Sequence, residues 1–126
     1  MKKIINTLHA PAPIGPYNQA ILSNGTLYVS GQIPLDPTTG TLVSGDIMKE
    51  TRQSMENIKA ILTEANMTFE DVVKSTIFLS DMNQFGQVNE VYGAYFDADT
   101  APARETVEVA NLPKFVNVEI SVIAVK

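Results

Sequence analysis

Two periods of apolar residues run along this chain, and the change between them divides it into strands and helices. The run over 116–125 alternates apolar and other side chains, as a half-buried strand does, whereas apolar residues over 47–65 recur every three or four positions, as on one face of a helix. Together with turn residues, the pattern predicts this order: strand, hairpin, helix, strand, helix and two strands. We therefore expect an α+β fold with one mixed sheet and two helices on one face.

Local signals place the predicted strands more closely. Ile4-Ile5 is a short first strand, and three prolines make residues 10–17 an extended segment. Asn24-Gly25 predicts the turn of a hairpin over 20–30. A turn-rich loop covers 36–40, a β-rich run covers 72–79, and the last strands cover 104–109 and 116–125.

The two helices have recognisable ends. Asp46 is placed to cap the first helix and Asn66 to end it. Asp81, with Gln84 three residues later, resembles a capping box for the second. The first helix should pack through a stripe of Thr51, Met55, Ile58, Leu62 and Ala65 and the second through Phe85, Val88, Tyr92 and Phe96.

The last strand predicts an oligomer. One of its faces carries Val116, Val118, Ile120, Val122 and Ala124, and the other carries Glu119, Ile123 and Val125. If the helices cover the first face, apolar side chains on the second still need cover. We therefore expect a homo-oligomer that buries the open face of the sheet.

Composition excludes several classes of function. The chain has 126 residues, which suits a single domain over 1–126, and a net charge of -5, which disfavours nucleic acid and anionic membranes as partners. It has no cysteine and one histidine, His9, so neither thiol chemistry nor a metal site is predicted. No apolar stretch reaches the length of a signal or membrane span, and we expect a cytoplasmic protein.

Two charged residues in or next to predicted strands are the main candidates for a functional site. Arg104 enters one predicted strand, and Glu119 lies inside the next, between Val118 and Ile120. A guanidinium is suited to binding a carboxylate or phosphate, although Arg104 could equally pair with Glu105 or Glu108. Glu119 could orient water or pair with a cation, and a nearby Arg104 should lower its pKa.

Other polar residues are ambiguous taken singly. Asn89 falls on the apolar stripe of the second helix, where it needs a partner or braces a ligand site. Tyr17 follows Ile14-Gly15-Pro16 and could line a pocket or pack on the sheet. Ser30 precedes Gly31, whose bare backbone permits close approach of a ligand.

Taken together, these segments resemble a known family. Ala10–Tyr17, Ser30–Pro34, Val88-Asn89, Pro102–Arg104 and Val118–Ile120 are similar, in that order, to the Rid family, also called YjgF/YER057c/UK114, and within it to the RidA type. The resemblance implies a chorismate-mutase-like fold and a homotrimer whose sheets form a central barrel. It also implies clefts between subunits and no cofactor or metal.

The resemblance further implies hydrolysis of 2-enamine and 2-imine acids, such as 2-iminobutanoate, to 2-oxo acids and ammonia. Arg104 would hold the substrate carboxylate and Glu119 the attacking water. Tyr17, Ser30, Gly31 and Asn89 would shape the cleft, and Thr106 would contribute backbone groups.

Two positions depart from the family pattern. Glu105 stands where a small residue is usual, and Thr106 stands where cysteine is frequent. Strand alternation should turn Glu105 away from Arg104, but a rotation at the strand start could bring it into the cleft to compete with an anionic substrate. A non-catalytic trimer that binds 2-oxo acids and regulates partners therefore remains an alternative. A ribonuclease or translation inhibitor is a third reading, which the acidic charge disfavours.

Overall fold

The computed structural model describes all 126 residues, and its main feature is one six-stranded sheet. The strands of this sheet are β1 Lys2–Ile5, β2 Ala20–Ser23, β3 Thr26–Gln32, β6 Val72–Leu79, β7 Ala103–Glu108 and β8 Val118–Val125. Their order across the sheet is β1-β2-β3-β8-β6-β7, and neighbouring strands are antiparallel except for the parallel pair of β6 and β7 at one edge. The predicted mixed sheet is confirmed, with the last strand inserted between β3 and β6.

The predicted loop over 36–40 contains a small element. Leu35–Asp36 (β4) and Thr41–Leu42 (β5) pair as a separate two-stranded hairpin on either side of the turn. Two-residue strands are too short to leave a periodic signal in the sequence, so the turn residues alone were visible.

Helix α1 spans Ile47–Glu64 and helix α2 spans Phe85–Gly93. The side chain of Asp46 accepts hydrogen bonds from the first turn of α1, and Asn66 has a φ of 58°, the left-handed conformation that ends many helices. The predicted capping box of α2 is wrong in one respect. Asp81 caps a separate single 3-10 turn, Met82–Gln84, and α2 begins after it without a side-chain cap. Neither helix is both long and apolar enough to cross a membrane.

The helices cover one face of the sheet, and the core lies between the two layers. Along β8, Val118, Ile120, Val122 and Ala124 are buried in it, as predicted. The buried face of α1 is wider than the predicted stripe because it includes polar residues. Among them, Glu50 is 3% exposed and accepts a hydrogen bond from Asn117.

The other face of the sheet carries large apolar side chains that nothing in the chain covers. Their exposed fractions are 51% for Tyr28, 48% for Val73, 39% for Val107 and 45% for Val125. A face of this kind is typical of a surface that meets another copy of the chain.

Candidate functional site

Arg104 is held in place by α2 rather than by an acid. Its Nη1 donates a hydrogen bond of 2.8 Å to the side-chain oxygen of Asn89. Its guanidinium carbon lies 5.5 Å from the ring centre of Phe85 and 5.0 Å from that of Tyr92. The chain's single ion pair joins Lys74 to Glu105, so the charge of Arg104 is not matched by a carboxylate. A guanidinium fixed in this way can bind an incoming carboxylate.

The sequence reasoning identified Asn89 but missed the two aromatic rings as partners of Arg104, because it assigned them to packing. Their spacing carried a signal: positions 85, 89 and 92 lie on one face of a helix. Tyr92 also donates a hydrogen bond of 2.8 Å to Ser75, which lies beside Arg104 in the paired strand. Burial raises the pKa of Tyr92, so its phenol remains neutral beneath the guanidinium.

Glu119 lies against a break in the sheet. The register between β3 and β8 shifts between Val29 and Gln32, which places Ser30 and Gly31 in a bulge. A Cβ added to Gly31 would lie 2.6 Å from Oε2 of Glu119, so only glycine leaves room for this carboxylate. The side chain of Glu119 has no cation partner, and burial raises its pKa above the usual 4.5.

Tyr17 lies next to this bulge, at the end of a segment that the side chain of Gln19 holds in place. Tyr17 is 46% exposed and lines a small cavity with Gly31, while the Ser30 hydroxyl donates to the Asn18 carbonyl at 2.6 Å. Gln19 is 2% exposed, and its amide binds the backbone of residues 7, 10 and 11. Sequence reasoning missed Gln19, since nothing local distinguishes it from a surface glutamine.

One subunit does not bring Arg104 and Glu119 together. Arg104 pairs with the buried Ser75 and lies on the helix side of the sheet, whereas Glu119 pairs with Phe78, three residues further along the same strand, and lies on the other side. Two strand spacings and three residues separate them, about 10 Å in each direction. The expected lowering of the Glu119 pKa by Arg104 is therefore absent within the chain, and burial shifts it upwards instead.

Glu105 points away from Arg104. One of its carboxylate oxygens pairs with Lys74 Nζ at 2.9 Å, and the other accepts a hydrogen bond from Thr76. These contacts, the Thr76 bond foremost, lower the pKa of Glu105. Within the subunit, strand alternation prevails, and the rotation that would carry this carboxylate towards Arg104 does not occur.

Thr106 lies two residues after Arg104 on the same side of β7, opposite Ile77. Its hydroxyl is buried and has no hydrogen-bond partner. A buried polar atom without a partner is unusual, and the hydroxyl of Ser54 on α1 is the other one in the chain. The His, Asp and Glu side chains form no cluster of three that could hold a metal ion.

Comparison with known proteins places this geometry in a family. The profile of the family described as Endoribonuclease L-PSP matches residues 7–126. A solved structure of a Yersinia pestis protein of unknown function, from the conserved Rid family, superposes with a TM-score of 0.97 at 52% identity and covers 100% of both chains. The chain belongs to the Rid family.

Other Rid proteins carry more specific names. The mouse 2-iminobutanoate/2-iminopropanoate deaminase is 48% identical over 100% of this chain and 93% of its own length. Escherichia coli TdcF, solved with bound serine, is 44% identical with a TM-score of 0.92, over 98% of both chains. Several further Rid relatives are named only as RutC family proteins. The family profile matches a range, residues 7–126, that includes both Arg104 and Glu119.

Proposed function

We propose that this protein hydrolyses 2-imino acids and their 2-enamine tautomers to 2-oxo acids and ammonia, and that the site forms between subunits of a homotrimer. The observation that carries the proposal is the Arg104 guanidinium, which Asn89, Phe85 and Tyr92 fix in place and no acid neutralises. The names of the mammalian relatives support the same reaction.

The carboxylate of the substrate is the natural partner of Arg104. In a 2-imino acid the carboxylate is bonded directly to the imine carbon, so binding the carboxylate also positions the carbon that reacts. Two parallel N–H groups of a guanidinium can bind both carboxylate oxygens, which fixes the plane of the substrate as well as its place.

Glu119 supplies the base. Its pKa is raised by burial, and a stronger base removes a proton from water more readily. The water oxygen forms a bond to the imine carbon, the electron pair of the C=N bond moves to nitrogen, and Glu119 takes the proton of the water. Glu119 returns this proton to nitrogen, which gives a neutral carbinolamine. It then takes the proton of the carbinol O–H as the C=O bond forms and passes it to nitrogen as the C–N bond breaks, so that the nitrogen leaves as ammonia.

The assembly follows from the separation within one subunit. Because Arg104 and Glu119 lie on opposite sides of the sheet, a complete site needs Arg104 from one copy and Glu119, Tyr17 and Gly31 from a neighbour. The uncovered apolar face, with Tyr28 and Val125, provides a surface for such a contact.

The two alternative functions have less support. A binding protein without activity would be favoured if Glu105 entered the cleft. In the subunit, however, the Glu105 carboxylate pairs with Lys74 and accepts a hydrogen bond from Thr76. Ribonuclease activity corresponds to the description of the family profile. The net charge of -5 opposes binding to an RNA backbone.

The test is a coupled assay. Threonine dehydratase generates 2-iminobutanoate, semicarbazide traps it, and the protein should suppress semicarbazone formation. The loss of a charge-assisted contact in Arg104→Ala should lower kcat/KM by roughly 10- to 150-fold. Arg52→Ala is the matched control, because it removes the only other arginine, which is exposed on α1. A folded protein that leaves semicarbazone formation unchanged would contradict the proposal, and cleavage of RNA by that protein would favour the ribonuclease.

A further inference from the structure

A chain of hydrogen bonds runs from the buried face of α1 to the end of β6. It begins at Glu50, which is 3% exposed, takes part in no ion pair, and accepts a hydrogen bond of 3.1 Å from the side-chain amide of Asn117. The side-chain oxygen of Asn117 accepts a second bond, of 2.9 Å, from the Ser80 hydroxyl. Both polar atoms of the Asn117 side chain therefore have a partner, one on a helix and one at the end of a strand.

Asn117 is the residue through which the chain enters β8. The strand begins at Val118, and Glu119 follows two residues after Asn117. The backbone N–H of Ser80 donates a hydrogen bond of 3.1 Å to the Asn117 carbonyl, just beyond the pair of Leu79 and Val118 that ends the ladder. Three hydrogen bonds therefore fix Asn117 at the start of β8.

The segment immediately before Asn117 is strained. Lys114 and Phe115 both have a φ of 55°, which is the left-handed conformation that a Cβ makes unfavourable. The Phe115 side chain is also 81% exposed, so burial of its ring offsets little of this strain. Because such strain persists only where the surrounding structure imposes it, the hydrogen bonds of Asn117 keep this segment from relaxing into β8.

The Glu119 carboxylate takes its position from the backbone of β8. It forms no ion pair within the subunit, and Gly31 beside it leaves space because it has no side chain. A displacement of the start of β8 would therefore move the carboxylate directly. A displacement of about 1 Å can lower the rate on the order of 10²-fold, so the restraint on β8 matters for catalysis.

We propose that Asn117, held by Glu50 and Ser80, is the positioning residue for Glu119 in the reaction proposed above, on which this inference rests. The side chain of Asn117 is bound to these two partners and acts on Glu119 only through the backbone. Its loss should therefore lower kcat, which depends on the base. KM should stay nearly constant, because Arg104 binds the substrate carboxylate from another strand.

The direction of the bond between Glu50 and Asn117 permits a rescue experiment. Asn117→Asp places a carboxylate against that of Glu50, and their repulsion should lower kcat in the semicarbazide assay by about 10-fold, with KM within about 2-fold. Glu50→Gln restores a donor, so that one oxygen of the new carboxylate accepts from it and the other from Ser80. The double variant Glu50→Gln/Asn117→Asp should therefore recover kcat to within about 3-fold of the wild type.

Two controls separate this role from a general effect on the fold. Asn111→Asp adds the same charge at an exposed position in the loop before β8 and should leave kcat unchanged. Ser80→Ala removes one bond without adding a charge and should lower kcat by about 3-fold, which tests the proposal even if Asn117→Asp does not fold. A wild-type kcat in Ser80→Ala, or a loss in Asn117→Asp that Glu50→Gln does not restore, would overturn the proposal.

A measurement without turnover separates this inference from the proposed function. Carbon-13 NMR of the side-chain carboxyl of Glu119 should show a shifted resonance in Asn117→Asp and a return to the wild-type value in the double variant. An inactive wild-type protein would contradict the proposed function, while this resonance would still report the position of Glu119. An unchanged resonance in both Asn117→Asp and Ser80→Ala would overturn the positioning role of Asn117.

Discussion

Arg104 and Asn89 lie 15 positions apart in the chain, and Nη1 of the first donates to Oδ1 of the second across 2.8 Å. The bond joins the edge strand β7 to α2, and it occupies one side of the guanidinium. Asn89 is a neutral acceptor, so it orients the cation without cancelling its charge. That arrangement leaves the charge of Arg104 free to bind a carboxylate.

Substitutions at position 89 should distinguish orientation from charge. Asn89→Ala removes one hydrogen bond and should raise KM by about 3- to 10-fold. Asn89→Asp places a carboxylate beside the guanidinium, which should cost at least about 10-fold more because the ion pair competes with the substrate. Kinetics in the semicarbazide assay would measure both, with the exposed Gln87→Ala on the same helix as control. An Asp variant as active as the Ala variant would contradict the assigned role of Asn89.

Glu105 should be dispensable for the reaction. Its partners are Lys74 and Thr76 on the side of the sheet away from Arg104, and exposed ion pairs contribute little. We expect Glu105→Ser to retain kcat/KM within about 2-fold and to fold as the wild type does. A loss of activity in a variant with an unchanged circular dichroism spectrum would show that Glu105 reaches the site in the assembled protein.

The pH dependence of the reaction should report on Glu119. Only the ionised carboxylate accepts a proton, so kcat should rise with pH through the pKa of Glu119, which burial within one subunit raises above 4.5. Glu119→Gln should lower kcat by roughly 10²- to 10⁴-fold and remove this acid limb. Asn89→Ala should keep the limb, which serves as the control. A limb that persists in Glu119→Gln would belong to titration of the substrate.

The same shift predicts a change in stability. Over a range of pH, Glu119 is protonated in the folded state and ionised in the unfolded state. The free energy of unfolding should therefore fall as pH rises from 4.5 through the raised pKa of Glu119. Glu119→Gln avoids burying the charge and should therefore have the larger free energy of unfolding above that range. The difference should vanish below pH 4.5, where the wild-type carboxyl is protonated in both states. Denaturant melts at matched protein concentration would measure both.

Mixed assemblies should test the division of the site between subunits. Arg104→Ala and Glu119→Gln should each have the low activity given above, but refolding them together in equal amounts should restore part of the wild-type activity. If every site takes one residue from each of two neighbours, random mixing leaves about a quarter of the sites complete. No recovery from mixed trimers, verified by mass spectrometry, would mean that both residues come from one subunit.

Gly31→Ala should remove activity while the fold remains. The added methyl would lie 2.6 Å from Oε2 and 2.7 Å from Cδ of Glu119, so the carboxylate must move. The loss of kcat should approach that of Glu119→Gln, roughly 10²-fold or more. Gly86→Ala is the matched control, since its Cβ would meet nothing within 4 Å. Full activity in Gly31→Ala would show that the position of Glu119 is not critical.

Much of the fold was predictable because its signals are local. Asp46 and Asn66 mark the ends of α1, Asn24-Gly25 marks the hairpin, and alternation sorts the faces of β8. Each of these depends on residues that are close together in the chain. The polar residues buried on α1 could not be foreseen, because the partner of Glu50 is Asn117, 67 positions away.

The site was predictable residue by residue, but its arrangement was not. The alternation of side chains along β8 correctly predicted that Glu119 lies on the face opposite the core. The sequence does not say that β8 lies between β3 and β6, and without that order the faces of Arg104 and Glu119 cannot be compared. The bulge at Ser30 and Gly31 is equally invisible, since it exists only in the pairing with β8.

The space beside Gly31 has a consequence for how such proteins diverge. The glycine contributes no side chain to the reaction, yet a single methyl group there would displace Glu119 without disturbing the sheet. Lineages that keep this fold can therefore lose the proposed chemistry in one mutational step and still make a stable protein. The residue at this one position should separate descendants that hydrolyse imines from those that retain only the scaffold.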